Sequence, residues 1–189
     1  MRPIILASKS PRRIELMRLI APDVLVRPSH FDESQIHESN PALLVRRLAY
    51  EKASAVGAEN AAIVIGCDTV VALGHEIFGK PRDKMDEIRM LRALSGNTHS
   101  VLTGVCLLID GERRSFECES QVTFFPLTEA EMEEYASSEE PYDKAGGYGI
   151  QGKGGLFVER ISGDYNNVVG LPVGQLNRIL RPILDGPIF

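Results

Sequence analysis

Residues 62–82 read AIVIGCDTVVALGHEIFGKPR, and how this stretch is read decides the fold. It opens as a continuous apolar run, Ala62-Ile63-Val64-Ile65, too short for a helix and rich in β-branched residues. Such runs form strands buried on both faces, as inside an α/β sheet. The run gives way to Gly66-Cys67-Asp68-Thr69, which sets a carboxylate at the end of the expected strand. Ligands of open α/β sheets bind beyond the carboxyl ends of the strands, so Asp68 is the first candidate for chemistry. A strand-end Asp also serves as a turn cap. The stretch closes on Gly79-Lys80-Pro81-Arg82, two cations on a stiff turn.

Upstream, Pro3–Ala7 reads as a first buried strand that runs straight into Ser8-Lys9-Ser10-Pro11-Arg12-Arg13 and an amphipathic segment, Ile14–Ile20. Ser10 suits an N-cap and Pro11 the first helical position. A helix start carries partial positive charge and favours acids, yet this one has Arg12 and Arg13, with Lys9 just before. The local electrostatics are unfavourable unless an anion binds there, and helix starts of this kind bind phosphate. Two solvated arginines is the alternative. Asp23–Pro28 reads as a second strand, followed by a polar loop with Asp32 and Glu33. Asn40-Pro41 caps a helix reaching about Val56, in which Leu44, Val45, Leu48, Ala49 and Val56 form one stripe. Lys52 falls in the middle of that stripe, where it must snorkel outward or meet an anion.

Downstream, Val70–Leu73 and Glu76–Phe78 flank Gly74-His75, a tight connection in which His75 is a turn residue. Asp83 caps a helix with Met85, Ile88, Leu91 and Leu94 on one face, Gly96 past its end and alternating charges on a solvated surface. Thr98–Ile109 and Glu112–Phe125 bracket Asp110-Gly111, the signal of a long antiparallel hairpin. Thr128 and Glu131 form a capping box. Ala145–Gly155, AGGYGIQGKGG, contains Gly147-x4-Gly152-Lys153 but has Gly154 where a P-loop needs Ser or Thr, and strand-like Leu156–Ile161 where it needs a helix. The P-loop is rejected. Gln151 is the one side chain there with amide donors and a carbonyl acceptor, which suits reading the edge of a base. Gly163–Asn167 reads as a turn, and Pro172 opens a last helix ending near Pro182.

The chain has 189 residues, enough for one domain or two closely packed lobes, and strands alternating with helices around a long hairpin indicate an α/β fold with a mixed sheet. A net charge of −5 and the lack of a basic stripe with aromatics argue against nucleic-acid binding. Cys67, Cys106 and Cys118 show no CxxC spacing, which suits reduced thiols in a cytosolic protein. No long apolar segment or signal peptide is evident. Arg12, Arg13, Lys52 and Lys80, together with Asp68 and Glu33, fit a polyphosphate plus a divalent metal. Ser8 and Ser10 have no histidine nearby in sequence, and Cys67 has no visible activating base, so direct attack of water on phosphorus is the simpler chemistry.

Ala7-Ser8-Lys9-Ser10-Pro11-Arg12-Arg13, Gly66-Cys67-Asp68-Thr69, Gly79-Lys80-Pro81 and Tyr148-Gly149-Ile150-Gln151-Gly152, in this order and spacing, resemble the Maf family of nucleoside triphosphate pyrophosphatases, also known as septum-formation inhibitor proteins. The resemblance covers essentially the whole chain and implies a single Maf-like domain over residues 1–189. It implies an elongated mixed sheet flanked by helices, with a cleft between two lobes, related to the inosine triphosphatase fold. It further implies hydrolysis between the α- and β-phosphates with a divalent cation, Mg2+ or Mn2+, in a cytoplasmic homodimer. Carried over by motif, Asp68 is the proton acceptor that activates water and Glu33 a catalytic or metal-binding acid. Arg13, Lys52 and Lys80 match phosphate-binding positions, with Ser8 and Ser10 beside the substrate. Arg12, Thr69 and Gln151 match positions that choose the base, in the pattern of the subgroup acting on dTTP and UTP. Cys67 stands where the family usually has Ala or Ser, which adds a candidate thiol sensitivity. The family's older name carries a competing reading, a non-enzymatic nucleotide-binding regulator of cell division.

Overall fold

The structure, a computed structural model, describes residues 2–57 and 62–184. Its elements run β1 (Ile4–Leu6), α1 (Pro11–Arg18), β2 (Leu25–Val26), α2 (Pro41–Val56), β3 (Ile63–Leu73), β4 (Glu76–Phe78), α3 (Lys84–Leu94), β5 (Thr98–Ile109), β6 (Glu112–Phe124), α4 (Glu129–Ala136), β7 (Val158–Ser162), α5 (Tyr165–Val169) and α6 (Val173–Leu180). The strands hydrogen-bond in the order β2-β1-β3-β5-β6-β7, with β4 added to β3. Pairing is parallel for β1 with β2 and with β3, and antiparallel for β3 with β4 and β6 with β7. The sheet is therefore mixed, as the alternation of strands, helices and one long hairpin requires.

Local signals set most boundaries. Ser10 caps α1 by accepting from the Arg13 N–H, and Asn40 caps α2 by accepting from Ala42 and Leu43. Asp83 caps α3, and Thr128 with Glu131 forms a reciprocal capping box on α4. The β5–β6 turn puts Asp110 at φ 50° and Gly111 at φ 83°, the left-handed pair a two-residue hairpin needs. Three elements differ from expectation. The second strand shrinks to Leu25–Val26, both exposed, because β1 supplies it only a three-residue partner. The segment at Gly163–Asn167 runs on into the short helix α5, started by Asp164, whose carboxylate accepts from the Asn166 N–H at 2.8 Å. Finally, β3 does not stop at Gly66 but continues to Leu73, so Asp68 is inside a strand rather than at its end. Register with β1 runs out at Leu6–Ile65, and pairing with β4 begins only at Val71–Phe78. Asp68 is thus beyond the carboxyl end of β1 on a strand that runs past its neighbour.

By its internal contacts the chain divides into two compact units, and β3, β5 and β6 each pass from one into the other. The first holds Met1–Asp68, Thr103–Cys118 and Gly170–Phe189. In it α2 lies against β3 and β5 with its backbone almost touching theirs. A Cβ at Gly66 would meet the Ala49 carbonyl oxygen at 2.1 Å, and one at Gly104 the Val45 carbonyl oxygen at 2.3 Å. Ile5, Ala49, Ala53, Ala62, Val64 and Cys106 close a core around this contact. The missing β-carbons of Gly66 and Gly104 are what let the helix approach so closely.

The second unit holds Thr69–Leu102 and Glu119–Val169. Its core includes Phe78, Leu91, Val122, Phe124, Tyr148 and Phe157. His99 is buried there with Nε2 2.8 Å from the Tyr148 hydroxyl, and burial lowers its pKa to about 4. One face of α3 differs from the expected wheel. Met85 is 73% exposed, whereas Glu87 is fully buried and Asp86 nearly so. Asp86 accepts from Arg82 and Arg89. Among the described residues neither carboxyl oxygen of Glu87 has a hydrogen-bond partner, and burial, aided by the charge of Asp86, raises its pKa to about 8.

Two expectations follow from these packings. Gly66→Ala drives a methyl into the α2 backbone and costs about 3 kcal/mol in chemical denaturation; a loss within experimental error would mean that α2 does not depend on this contact. Glu87 keeps its proton in the folded protein up to about pH 8, while the unfolded chain releases it near the ordinary glutamate value of 4.5. Between those values the folded state binds more protons, so stability falls as pH rises, by up to about 1.4 kcal/mol per pH unit. Glu87→Gln removes that slope. Thermal melts of both proteins from pH 5 to 8 read it, and parallel curves would contradict it.

Candidate functional site

The carboxyl end of β1 leads directly to the start of α1. Ser8 is buried and its hydroxyl accepts from the Ser10 N–H at 3.2 Å, while Ser10 Oγ accepts from Arg13 N–H. Both serines therefore shape the turn into the helix. Arg13 folds back, its Nε–H donating to the Gly170 carbonyl at 2.9 Å. Arg12, one residue earlier in the same turn, is partly exposed. The hydroxyls and guanidinium groups anticipated at this helix start are together, and Arg13 is near enough to act electrostatically on both Lys52 and Cys67.

Lys52 neither snorkels to solvent nor stands alone. From α2 its ammonium reaches Asp68 Oδ1 on β3 at 2.5 Å and Glu33 Oε1 at 2.8 Å. The Lys52 and Asp68 side chains are 12% and 9% exposed, and Glu33 is 53% exposed. Burial works to lower the lysine's pKa, and Arg13 adds to that. The charges of Asp68 and Glu33 and the hydrogen bond to Asp68 outweigh both and hold it above the ordinary lysine value. Lys52 is therefore an ammonium at every physiological pH. Two neighbouring acids on one loop take different tasks: Asp32 caps the short turn Glu33–Gln35 by accepting from Ser34, and Glu33 is the one that reaches Lys52. Cys67 is fully buried, and desolvation foremost pushes its thiol pKa up, so it stays a protonated thiol shielded from reagents and from nucleophilic work.

In the second unit Thr69 follows Asp68 on β3, Lys80 is exposed after β4, and Gln151 is exposed on the glycine-rich segment. The turn carrying Lys80 is tied to that segment by a 2.9 Å bond from the Gly146 N–H to the Gly79 carbonyl. The segment is not a loose loop. Glu140 Oε2 accepts from the Lys153 N–H and Oε1 from the Gly154 N–H, each at 3.0 Å, and the Tyr135 hydroxyl donates to Oε1 at 3.0 Å. Glu140 and Tyr135 escaped the sequence reading. The available signal was an acid shortly before a run of glycines, whose crowded N–H groups need an acceptor.

The donor set can be weighed for a divalent cation. Among the described residues no three His, Cys, Asp or Glu side chains gather into a group that could hold a metal ion by themselves. Asp68 and Glu33 do share a single cation, the Lys52 ammonium. Mg2+ is commonly bound through one or two carboxylates, with substrate phosphates and water completing the shell, so this pair fits such an ion.

A family model described as Maf-like protein matches residues 3–183. A dTTP/UTP pyrophosphatase of Thermosipho africanus is 49% identical over 184 residues, covering 96% of this chain and 95% of that protein. A dTTP/UTP pyrophosphatase of Exiguobacterium sibiricum is 48% identical over 187 residues, 99% of this chain and 95% of that one. Among solved structures, the Ham1 protein of Staphylococcus aureus is similar at 16% identity and TM-score 0.57, covering 97% of this chain and all of that one. A HAM1 protein from Coxiella burnetii gives 16% and 0.54. These two likenesses give the fold, which is the mixed α/β class expected from the sequence.

The ion pairs make one expectation for the site. Lys52→Met leaves Asp68 as a buried carboxylate without its counter-charge and costs about 3 kcal/mol in denaturant melts. Asp68→Asn in the Lys52→Met background recovers part of that loss, because the two residues are coupled. Additive effects of the two substitutions would contradict the pairing.

Proposed function

The chain belongs to the Maf family, and from that premise we propose that it is a nucleoside triphosphate pyrophosphatase acting on dTTP and UTP. It releases the nucleoside monophosphate and pyrophosphate. The observation that carries this reading is Asp68, a buried carboxylate inside a strand, held by Lys52 with Glu33 on the same ammonium. The substrates come from the similarity to proteins named dTTP/UTP pyrophosphatase.

In this reading Asp68 takes a proton from a water molecule as that water attacks the α-phosphorus. The bond from that phosphorus to the bridging oxygen breaks, and the electron pair leaves with pyrophosphate. Arg13, Lys52 and Lys80 offset the charge that builds on the leaving group, the point at which cations lower the barrier most. Ser8 and Ser10 hold the turn that presents the α1 start to phosphate oxygens. Arg12, Thr69 and Gln151 choose the base. Asp68 and Glu33 would hold Mg2+ or Mn2+, which when bound neutralises phosphate oxygens. The whole of residues 1–189 is proposed to work as one Maf-like domain, as a homodimer in the cytoplasm; among the described residues no helix is long and apolar enough to cross a membrane. A regulator of cell division without catalysis is not favoured, since binding alone gives no reason to hold a buried carboxylate beside fixed cations.

The test is pyrophosphate release from a nucleotide panel with Mg2+ or Mn2+, for wild type and Asp68→Asn. Wild type is expected to act selectively on dTTP and UTP, and the variant to lose about 100-fold or more in kcat while still binding nucleotide. An unchanged kcat would sink the general-base role. Binding without release by the wild type would bring the regulator forward.

A further inference from the structure

We propose that Glu140, assisted by Tyr135, is a positioning residue for base selection: it sets the turn that presents Gln151. The inference rests on the pyrophosphatase reading above and adds to it where the choice of base is built. The Gly152 N–H donates to the Gly149 carbonyl at 3.1 Å, so Ile150 and Gln151 are the two central residues of a β-turn. Gln151 at its tip is exposed. Both flanks of this turn are gathered by one acid–phenol pair. Glu140 takes the Lys153 and Gly154 N–H groups on its two oxygens, and the Gly149 N–H donates to the Tyr135 hydroxyl at 3.3 Å, which itself donates to Glu140. Burial works to raise the Glu140 pKa. The bonds from Gly154, Lys153 and Tyr135 and the charge of Lys144 outweigh it, and the group is held below the ordinary glutamate value as a carboxylate.

The fit is close at Gly152, where a side chain would have to displace the Glu140 carboxylate. A Cβ at Gly152 would lie 2.3 Å from Glu140 Oε1. The same loop is also anchored at Tyr148 and Phe157, both in the apolar core of this unit, where Phe157 packs edge-on against the Tyr135 ring at 4.9 Å. These anchors are ring packing, which Glu140→Gln and Tyr135→Phe both leave in place, so loss of the clamp is expected to free residues 149–154 without unfolding the unit. Only a carboxylate offers acceptors to both N–H groups at once. The glutamine of Glu140→Gln turns an NH2 toward one of them.

The experiment compares wild type, Glu140→Gln and Tyr135→Phe in amide hydrogen exchange and in steady-state pyrophosphate release from dTTP, UTP and CTP. In Glu140→Gln the Gly149, Lys153 and Gly154 amides are expected to exchange about tenfold faster, with the β5 and β6 amides unchanged, in line with loss of charge-assisted bonds. KM for dTTP rises about tenfold, kcat stays within about twofold, and the preference for dTTP over CTP falls about tenfold, approaching that of Gln151→Ala. Tyr135→Phe gives the same pattern more weakly, and it serves as the test if Glu140→Gln does not fold. The proposal is overturned if the amides are freed but KM and the dTTP/CTP ratio hold. It is equally overturned if kcat drops alike on all nucleotides with KM unchanged. Wild type that releases no pyrophosphate refutes the enzyme reading instead. The dTTP and CTP affinities of wild type and Glu140→Gln, measured by calorimetry, then decide the positioning claim, which fails if their ratio is the same in both.

Discussion

The contact on which the first unit depends is backbone against backbone: α2 resting on β3 at Gly66 and on β5 at Gly104. Ordinary helix-on-sheet packing keeps a layer of side chains between the two. Here the Ala49 and Val45 carbonyls occupy the space that two β-carbons would fill. The consequence for chemistry is distance. A lysine on a helix at normal spacing would have its stem in the core and its ammonium beyond it. On a helix drawn in this far, Lys52 reaches a carboxylate one residue-pair along from Gly66 on the same strand. The close approach and the charged pair are two parts of one design.

That pair is expensive to hold, and its composition shows how the cost is offset. Burying Asp68 or Lys52 alone would cost several kcal/mol, and their mutual attraction alone would do little better than balance two desolvation penalties. Glu33 adds a second anion from the exposed side, where its own desolvation is small, while Arg13 adds an opposing positive charge. The net field still favours the ammonium. The four groups balance in formal charge, two cations against two carboxylates. Two cations set beside a buried acid suit an anionic guest, whose phosphate oxygens would add acceptors and negative charge on that side.

Much of this was legible in the sequence, and the failures have physical causes. Caps, hairpin turn and the periodicity of α2 are local signals, so the boundaries at Asn40–Val56 and Asp110-Gly111 came out as read. The length of β3 was not local: whether a strand continues past Gly66 depends on which neighbours pair with it, and the partner of its second half, β4, lies after it in the chain. Lys52 was singled out because its place on the wheel was wrong for a lysine, but the wheel could not say that Asp68 and Glu33 were the answer. On α3 the same wheel gave the opposite error. Alternating charges place Glu87 on a solvated face, yet it is buried with no hydrogen-bond partner among the described residues, since periodicity reports spacing and not which side of a helix the core takes. Asp32 and Glu33 could not be told apart until one was seen capping a turn.

Under the proposed function, holding phosphate and choosing a base call for different physics, and the difference gives a reason for the build of the glycine-rich segment. Charges such as those around Lys52 attract any polyphosphate and barely distinguish one base from another. Discrimination between bases needs neutral donors and acceptors held so firmly that the wrong edge leaves one of them unpaired, and that penalty is large only when the group cannot swing away. A glutamine on a free glycine loop would adapt to either edge and so choose neither. Anchoring the turn through its backbone N–H groups on Glu140, itself bonded by Tyr135, holds the tip from below and would leave its outer side open to a base. The glycines of this segment are what allow the carboxylate close enough to hold it.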